Sequence, residues 1–190
     1  FALEKLPFTY SDPNREALPI KYHWGISYRG THLSSLSRPQ LQASPRVVLS
    51  TNEKVGLQKA LAPLCGEQLC FASGAGYKML CVALGLADAY VLSEGSTFKW
   101  DSCGPHAILQ ALGGGIVDLS AALQAWRAGQ GKQLPELTYH KPLEGSVGAD
   151  CWANQGGLVA YFSHKRKPPW VNFLADHGLL LHENLARVGC

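Results

Sequence analysis

The sequence is poor in charge and lacks the patterns that mark several classes of protein. Charged residues make up 16% of its 190 residues, hydrophobic residues make up 46%, and the net charge is +3 with histidine neutral. This composition is typical of a globular domain rather than a disordered or fibrous chain. The positive charge is too small to indicate nucleic-acid binding, although it suits a small anionic substrate. No run of about 18 apolar residues occurs, so no membrane span is predicted.

Cysteine is present without a recognisable metal or disulfide pattern. The six cysteines include no Cys-x-x-Cys pair and no zinc-type spacing with histidine. Several lie inside apolar runs, where a free thiol behaves as a small hydrophobic group. Because neither a signal-peptide pattern nor an Asn-x-Ser/Thr acceptor is present, we expect a reduced, cytoplasmic protein.

Methionine is almost absent, since Met79 is the only one and the chain begins with Phe1. We therefore expect a processed piece, a fragment, or the ordered remainder of a longer chain. The sequence leaves these three alternatives open, and it leaves the oligomeric state open as well.

Hydrophobic patterning divides the chain into two parts. Residues 1–45 contain five prolines and are predicted to form an irregular connecting segment with one possible strand. In residues 46–190, β-branched runs alternate with apolar residues at helical spacing, which predicts an α/β fold with helices layered on a sheet. The predicted strands are 22–28, 46–50, 68–72, 87–92, 116–119 and 158–162. The predicted helices are 53–64, 73–84, 101–112 and 171–187. Residues 127–157 are predicted to be a long loop.

Asp101 lies in the sequence FKWDSCGP, where an extended segment turns into a helix. Aspartate is common at the N-cap of a helix because its carboxylate accepts hydrogen bonds from the first backbone N–H groups. From the same position a carboxylate can also bind a metal ion. His106, further along this predicted helix, is expected to be structural or exposed rather than catalytic.

Two polar turns are candidates for binding an anion. Small residues at 73–76 open a predicted helix, where bare backbone N–H groups and the helix dipole favour a phosphate, and Lys78 adds a positive charge. The spacing is not that of a P-loop. Residues 50–54 join a predicted strand to a helix, and they are either an ordinary cap or a polar ligand site at the same sheet edge. Glu94 and the basic residues 165–167 are either solvated or substrate contacts.

These motifs, taken in order, resemble a known family. The sequences GAGYK at 74–78, GLADAY at 85–90, WD at 100–101 and GG at 113–114 are similar to the C-terminal half of the lithium-inhibited, magnesium-dependent phosphatase superfamily. That superfamily includes inositol monophosphatase and fructose-1,6-bisphosphatase, and residues 94–117 look most like its inositol polyphosphate 1-phosphatases. The resemblance implies a layered α-β-α-β-α sandwich, of which this chain supplies the C-terminal layers.

The resemblance also implies roles for individual residues. Asp101 would be the metal ligand shared with the substrate phosphate site. The implied substrate contacts are Asn52, Lys54, Ser73, Gly74, Ala75, Lys78 and Glu94. The implied reaction removes the 1-phosphate from inositol 1,4-bisphosphate and inositol 1,3,4-trisphosphate, with two or three Mg²⁺ ions as cofactors and Li⁺ as inhibitor.

The sequence departs from the family in one large respect. The family's other metal ligands come from an upstream Glu and an Asp-Pro-Ile/Leu-Asp-Gly-Thr segment, and neither occurs here. We therefore expect the upstream half of the enzyme to be a partner outside this chain. Two alternatives stay open: a 3′(2′),5′-bisphosphate nucleotidase of the same superfamily, and a catalytically inert module that binds inositol phosphates.

Overall fold

Hydrophobic strands and helices alternate through the computed structural model, which describes residues 2–4, 21–40, 45–129 and 135–162. Its strands are β1 (Ala2–Glu4), β2 (Lys21–His23), β3 (Gly25–Tyr28), β4 (Thr31–Ser34), β5 (Val47–Leu49), β6 (Leu69–Phe71), β7 (Ala89–Leu92), β8 (Gly115–Asp118) and β9 (Leu158–Tyr161). Its α-helices are α1 (Val55–Cys65), α2 (Ala75–Ala83), α3 (Lys99–Leu112) and α4 (Leu119–Arg127). None of these helices in the described ranges is long and apolar enough to cross a membrane.

A five-stranded mixed sheet forms the centre of the fold, in the order β6-β5-β7-β9-β8. Strand β5 pairs in parallel with both β6 and β7, whereas β9 runs antiparallel to β7 and β8. All residues of β5 and β7 are buried, which is typical of a sheet covered on both faces. Because β5, β6 and β7 are parallel, their carboxyl ends meet at one edge of the sheet.

Helices cover both faces of this sheet. On one face, Leu57 and Leu61 of α1 pack in a buried cluster with residues of α4. On the other face, Met79 of α2 and Ile108 and Leu112 of α3 form a second buried cluster. Each of these five side chains is at most 1% exposed, and full burial of such a side chain contributes about 1.5–3 kcal/mol. The prediction of an α/β fold with helices layered on a sheet is therefore confirmed.

A β-hairpin adds a further layer outside α3. Strands β3 and β4 pair antiparallel and are joined by Arg29 and Gly30, which both have positive φ, at 46° and 81°. A two-residue turn with two positive φ values suits the twist of a hairpin. The hairpin packs on α3 through Gly25, while the side chains of Ile26 and Leu33 remain 50% and 53% exposed on its outer side.

The structure corrects two of the predicted elements. The strand predicted at 22–28 is two strands with different partners: β2 pairs with β1, and β3 pairs with β4. They separate at Trp24, whose N–H donates to Ser35 Oγ at 2.9 Å instead of joining a strand ladder. The strand predicted at 116–119 ends at Asp118, and Leu119 begins α4, a helix that was not predicted. The helix predicted at 171–187 and the basic residues 165–167 lie outside the described residues.

Candidate functional site

Three polar loops meet where the parallel strands end. Residues 50–54 follow β5, residues 72–74 follow β6, and residues 93–98 follow β7 and lead into α3. The N–H of Ala72 donates to the carbonyl of Leu49 at 3.0 Å, which fixes the first two loops side by side. Crevices at this edge of an α/β sheet are usual ligand sites. The loops and the helices that follow them carry all the predicted site residues.

Asp101 lies in the first turn of α3 but is not its N-cap. The helix begins at Lys99, and Phe98 occupies the cap position. The Asp101 carboxylate reaches back and accepts the Phe98 N–H on Oδ2 at 2.8 Å. The predicted capping position was therefore wrong by three residues, although the carboxylate still satisfies a backbone N–H at the helix start. One oxygen of the half-buried carboxylate is committed to this bond.

The first turn of α2 lies beside Asp101. Gly74 is the N-cap residue of the helix, with a φ of 81°, and it has no side chain that could cap the first N–H groups. A Cβ atom added to Gly76 would lie 3.9 Å from the carbonyl oxygen of Asp101. Ser73 and Gly74 are exposed and Ala75 is half-buried. The first turn of α2 thus lies close to the backbone of the first turn of α3, the turn that carries Asp101.

Lys78 is buried rather than solvent-facing. Its side chain is 3% exposed, and its Nζ donates to the carbonyl of Ala72 at 3.2 Å and lies 5.0 Å from the ring centroid of Tyr90. Burial lowers the pKa of Lys78 below its usual value, while the nearby Glu53 carboxylate opposes this effect. An ammonium has three donors, so the bond to Ala72 leaves donor capacity for a phosphate.

The loop after β5 is tied to the loop after β7 by an ion pair. Lys54 Nζ lies 3.6 Å from Glu94 Oε1, and these side chains are 36% and 52% exposed. Asn52 is exposed on the same loop. The cap predicted for α1 within 50–52 was wrong, because α1 begins at Val55 and Lys54 takes the cap position without a side-chain hydrogen bond. Asn52 thus has no capping role.

Glu53, which the sequence did not single out, is buried between these loops with only 5% of its surface exposed. Its carboxylate accepts from the Lys54 N–H at 3.2 Å, from the Ser93 N–H at 3.3 Å and from the Ser93 hydroxyl. A solvated loop glutamate and a buried one look alike in sequence, so no local signal marks it. A buried carboxylate with several donors holds its loop firmly.

A second buried polar cluster lies under the start of α3. Asn154 Nδ2 donates to Thr97 Oγ1 at 3.2 Å and to Ser102 Oγ at 3.4 Å. Tyr139 Oη lies 2.7 Å from His106 Nδ1. Asn154, Thr97, Ser102 and His106 are each at most 5% exposed. The two bonds from Asn154 tie Thr97 and Ser102 at the start of α3 to the segment before β9, whereas His106 Nε2 and Asn154 Oδ1 have no hydrogen-bond partner among the described residues.

His106 makes the stability of the fold depend on pH. Burial lowers its pKa from 6.5 to about 4. His106 binds a proton near pH 6.5 in the unfolded chain but only near pH 4 in the folded chain. The contribution of neutral His106 to the free energy of unfolding is therefore complete above pH 6.5, and it is lost as the pH falls from 6.5 towards 4. We expect the protein to lose about 3 kcal/mol more of its free energy of unfolding between pH 7 and pH 4 than a His106→Gln variant. Urea unfolding at several pH values measures this difference.

A variant at an exposed histidine of the hairpin provides the control. His32→Gln should show the same change of unfolding free energy with pH as the unmodified protein. If the unmodified protein, His106→Gln and His32→Gln all show the same change, the prediction is contradicted.

The described residues supply only part of a metal site. Among them, no group of three or more His, Cys, Asp or Glu side chains is placed to hold a metal ion. Asp101 fits the role of one ligand, because its bond to Phe98 uses Oδ2 and a carboxylate offers two oxygens. Hard divalent cations such as Mg²⁺ bind carboxylate oxygens. The chemistry of this carboxylate therefore fits one ligand of such an ion.

Comparison with known proteins gives one family for most of the chain. The profile described as the inositol monophosphatase family matches residues 22–166. Inositol polyphosphate 1-phosphatase of Homo sapiens is 43% identical over 189 residues, and that of Bos taurus is 44% identical over 190. Each match covers 90% of this chain and 47% of the relative. The chain thus spans about half the length of the curated relatives it matches.

Other similar proteins match a smaller part of the chain or match it at lower identity. The 3′(2′),5′-bisphosphate nucleotidase 1 of Dictyostelium discoideum is 44% identical over 78 residues, which cover 38% of this chain and 24% of that protein. Among solved structures, inositol monophosphatase-II from Staphylococcus aureus has a TM-score of 0.47 at 14% identity, over 78% of this chain and 49% of that one.

Proposed function

This chain belongs to the inositol monophosphatase family, and we propose that it supplies the substrate-binding half of a metal-dependent phosphomonoesterase. The observation that carries the proposal is the close approach of the first turns of α2 and α3, where the backbone carbonyl of Asp101 lies near Gly76. A carboxylate for a cation and amides for a phosphate then face one site. The proposed reaction removes the 1-phosphate from inositol 1,4-bisphosphate and inositol 1,3,4-trisphosphate.

The roles of the chain's residues follow from their positions. The N–H groups at Gly74 and Ala75, with the Ser73 hydroxyl, bind phosphate oxygens at the positive end of α2. Asp101 supplies one carboxylate ligand at the reacting phosphate. When bound, two or three Mg²⁺ ions would neutralise charge on the phosphoryl oxygens and lower the pKa of the attacking water. An upstream half of the enzyme would provide the other ligands.

Lys54, Lys78 and Asn52 are proposed to select a substrate with more than one phosphate. Lys54 is half-exposed on the loop after β5, and Lys78 stands beneath the first turn of α2. Two ammonium groups suit a second phosphate group on the substrate better than they suit the hydroxyl that a monophosphate carries at the same position. Asn52 offers an amide on the same loop, and Glu94 accepts from inositol hydroxyls once its pairing with Lys54 is released.

A direct assay tests this proposal. We expect the complete native protein, with Mg²⁺, to release phosphate from inositol 1,4-bisphosphate and leave inositol 4-phosphate as the product. Li⁺ should lower the rate. Identifying the product by chromatography decides which phosphate leaves. Release of the 4-phosphate, or a rate that Li⁺ does not affect, would contradict the proposal.

One observation favours a nucleotidase as the second candidate. Tyr77 is 45% exposed in the first turn of α2, and its Cβ would lie 3.7 Å from a Cβ at Gly74. An exposed ring beside a phosphate-binding turn could stack on a base. Faster hydrolysis of adenosine 3′,5′-bisphosphate than of inositol 1,4-bisphosphate would select this candidate. Binding of both compounds without hydrolysis would instead select the inert binding module.

A further inference from the structure

Glu53 is the most deeply buried carboxylate at the edge where the substrate loops meet. It is 5% exposed, and its two oxygens accept hydrogen bonds from backbone and side-chain donors of two different loops. One loop follows β5 and contains Lys54, and the other follows β7 and begins at Ser93. The side chain therefore joins two segments that are 40 residues apart in sequence.

The residues on either side of this contact are those proposed to bind substrate. Asn52 and Lys54 flank Glu53 directly, and Glu94 follows Ser93. Two links thus run side by side between the loops: a buried one from Glu53 to Ser93, and an exposed one from Lys54 to Glu94 at 3.6 Å. The side chains of Asn52 and Glu94 are exposed and that of Lys54 is half-buried, so all three lie on the outer side of these two loops.

The two links differ in strength. An exposed ion pair contributes about 0–1 kcal/mol because water and salt screen it. A buried carboxylate that accepts several hydrogen bonds is held more strongly, because each bond is charge-assisted and the alternative is an unsatisfied buried charge. The position of the loop after β5 is therefore set mainly by Glu53, and the Lys54–Glu94 pair can open without releasing it.

We propose that Glu53 is a positioning residue, which holds Asn52 and Lys54 in place for the additional phosphate of the substrate through its contact with Ser93. This inference rests on the proposed function. Because Glu53 is only 5% exposed, we assign it no direct contact with the substrate. It also stabilises the charged form of the buried Lys78, so it supports both ammonium groups that are assigned to the polyphosphorylated substrate.

The test compares two probes that differ in one phosphate. Inositol 1,4-bisphosphate and inositol 1-phosphate are titrated by calorimetry into the complete native protein with a chelator present, so that no turnover occurs. In a Ser93→Ala variant we expect the Kd for the bisphosphate to rise about 10-fold, the equivalent of one charge-assisted hydrogen bond. The Kd for the monophosphate should change by less than about 2-fold, because Lys54 serves only the second phosphate.

Matched variants separate positioning from general stability. Ser93→Thr keeps the hydroxyl and should bind both probes as the unmodified protein does. Ser120 lies in α4, and its hydroxyl donates to the Gly156 carbonyl at 3.0 Å. Ser120→Ala removes this hydroxyl and should leave both affinities unchanged. Glu53→Gln, which keeps the shape but loses the charge, should repeat the selective loss, and it decides the question if Ser93→Ala does not fold.

Different outcomes overturn different claims. Equal weakening of both probes in Ser93→Ala means that the contact is merely structural, and unchanged binding means that it does not position Lys54. Either result overturns the inference while the proposed substrate class stands. If the unmodified protein binds the two probes equally well, Lys54 does not serve a second phosphate. That result overturns the proposed polyphosphate preference and the inference with it.

Discussion

Replacing Asp101 by asparagine is expected to lower kcat for phosphate release from inositol 1,4-bisphosphate by about 10²- to 10³-fold, because a correctly held metal ion contributes several kcal/mol to such a reaction. The carboxylate lies in the first turn of α3 and has an oxygen available beyond the one that accepts from Phe98. The asparagine amide oxygen can still accept the Phe98 N–H. The change therefore removes the negative charge while the helix start is kept.

A second aspartate provides the control for this change. Asp118 Oδ1 accepts the Ala121 N–H at 2.8 Å, so it satisfies the start of α4 as Asp101 satisfies the start of α3. Asp118→Asn should leave kcat within about 2-fold, because a neutral amide can replace the acceptor in a cap. Both variants should unfold near the temperature of the unmodified protein. Added Mg²⁺ should raise that temperature less in Asp101→Asn than in the unmodified protein.

Two results would count against the assigned role. If Asp101→Asn and Asp118→Asn lose activity equally, the effect comes from helix capping rather than from a metal ligand. If Asp101→Asn keeps full activity, the carboxylate is not a ligand, and the described residues then contribute only phosphate-binding amides. A loss confined to Asp101→Asn, together with a weaker response to Mg²⁺, supports the role.

The fold was predictable where the signal is local. Hydrophobic periodicity indicated β7 and α3 within two residues of their observed bounds at all four ends, because buried strands and amphipathic helices leave a repeating pattern. It missed α4, whose first residue, Leu119, directly follows the last residue of β8, Asp118, with no loop between the two elements. The broken strand at Trp24 was missed because its hydrogen bonds go to Ser35, 11 residues away.

The sequence marks the candidate residues of the site but not the residues that hold them in position. Asp101 and Gly74 stand out because an acidic residue and small residues at helix starts have specific chemistry. Glu53 and Asn154 do not stand out, since their meaning depends on partners 40 and 57 residues away. Burial of Lys78 was missed for the same reason. Residue identity thus suggests the ligands, while tertiary contacts decide how they are held.

The two buried polar clusters hold different parts of the candidate site in position. The pair of Glu53 and Ser93 fixes the loops on the side of Lys54, and Asn154 fixes the start of α3 on the side of Asp101. If the proposed roles hold, phosphate binding and metal binding would depend on different supports. Variants in one cluster should change substrate affinity, and variants in the other should change metal response. This separation is what a site assembled from several strand ends requires.

Replacing Gly25 by alanine is expected to lower the free energy of unfolding by about 2–3 kcal/mol, the cost of overpacking a close contact. A Cβ atom there would lie 2.5 Å from Ile108 Cα and 2.7 Å from the Ala107 carbonyl oxygen. Both neighbours are backbone atoms of α3, which cannot turn away as a side chain can. The hairpin or the helix must move, and either movement opens the cluster around Ile108.

A glycine-to-alanine substitution at another position should change the free energy of unfolding in the opposite direction. A Cβ atom at Gly56 meets nothing within 4 Å, and this residue lies in the first turn of α1. Gly56→Ala should therefore raise the free energy of unfolding by about 0.5–1 kcal/mol, because alanine loses less entropy in a helix. Urea unfolding of both variants measures the pair. If Gly25→Ala were neutral or stabilising while Gly56→Ala behaved as expected, the hairpin would not rest directly on the backbone of α3, and the layer that covers the Asp101 helix would have to be placed elsewhere.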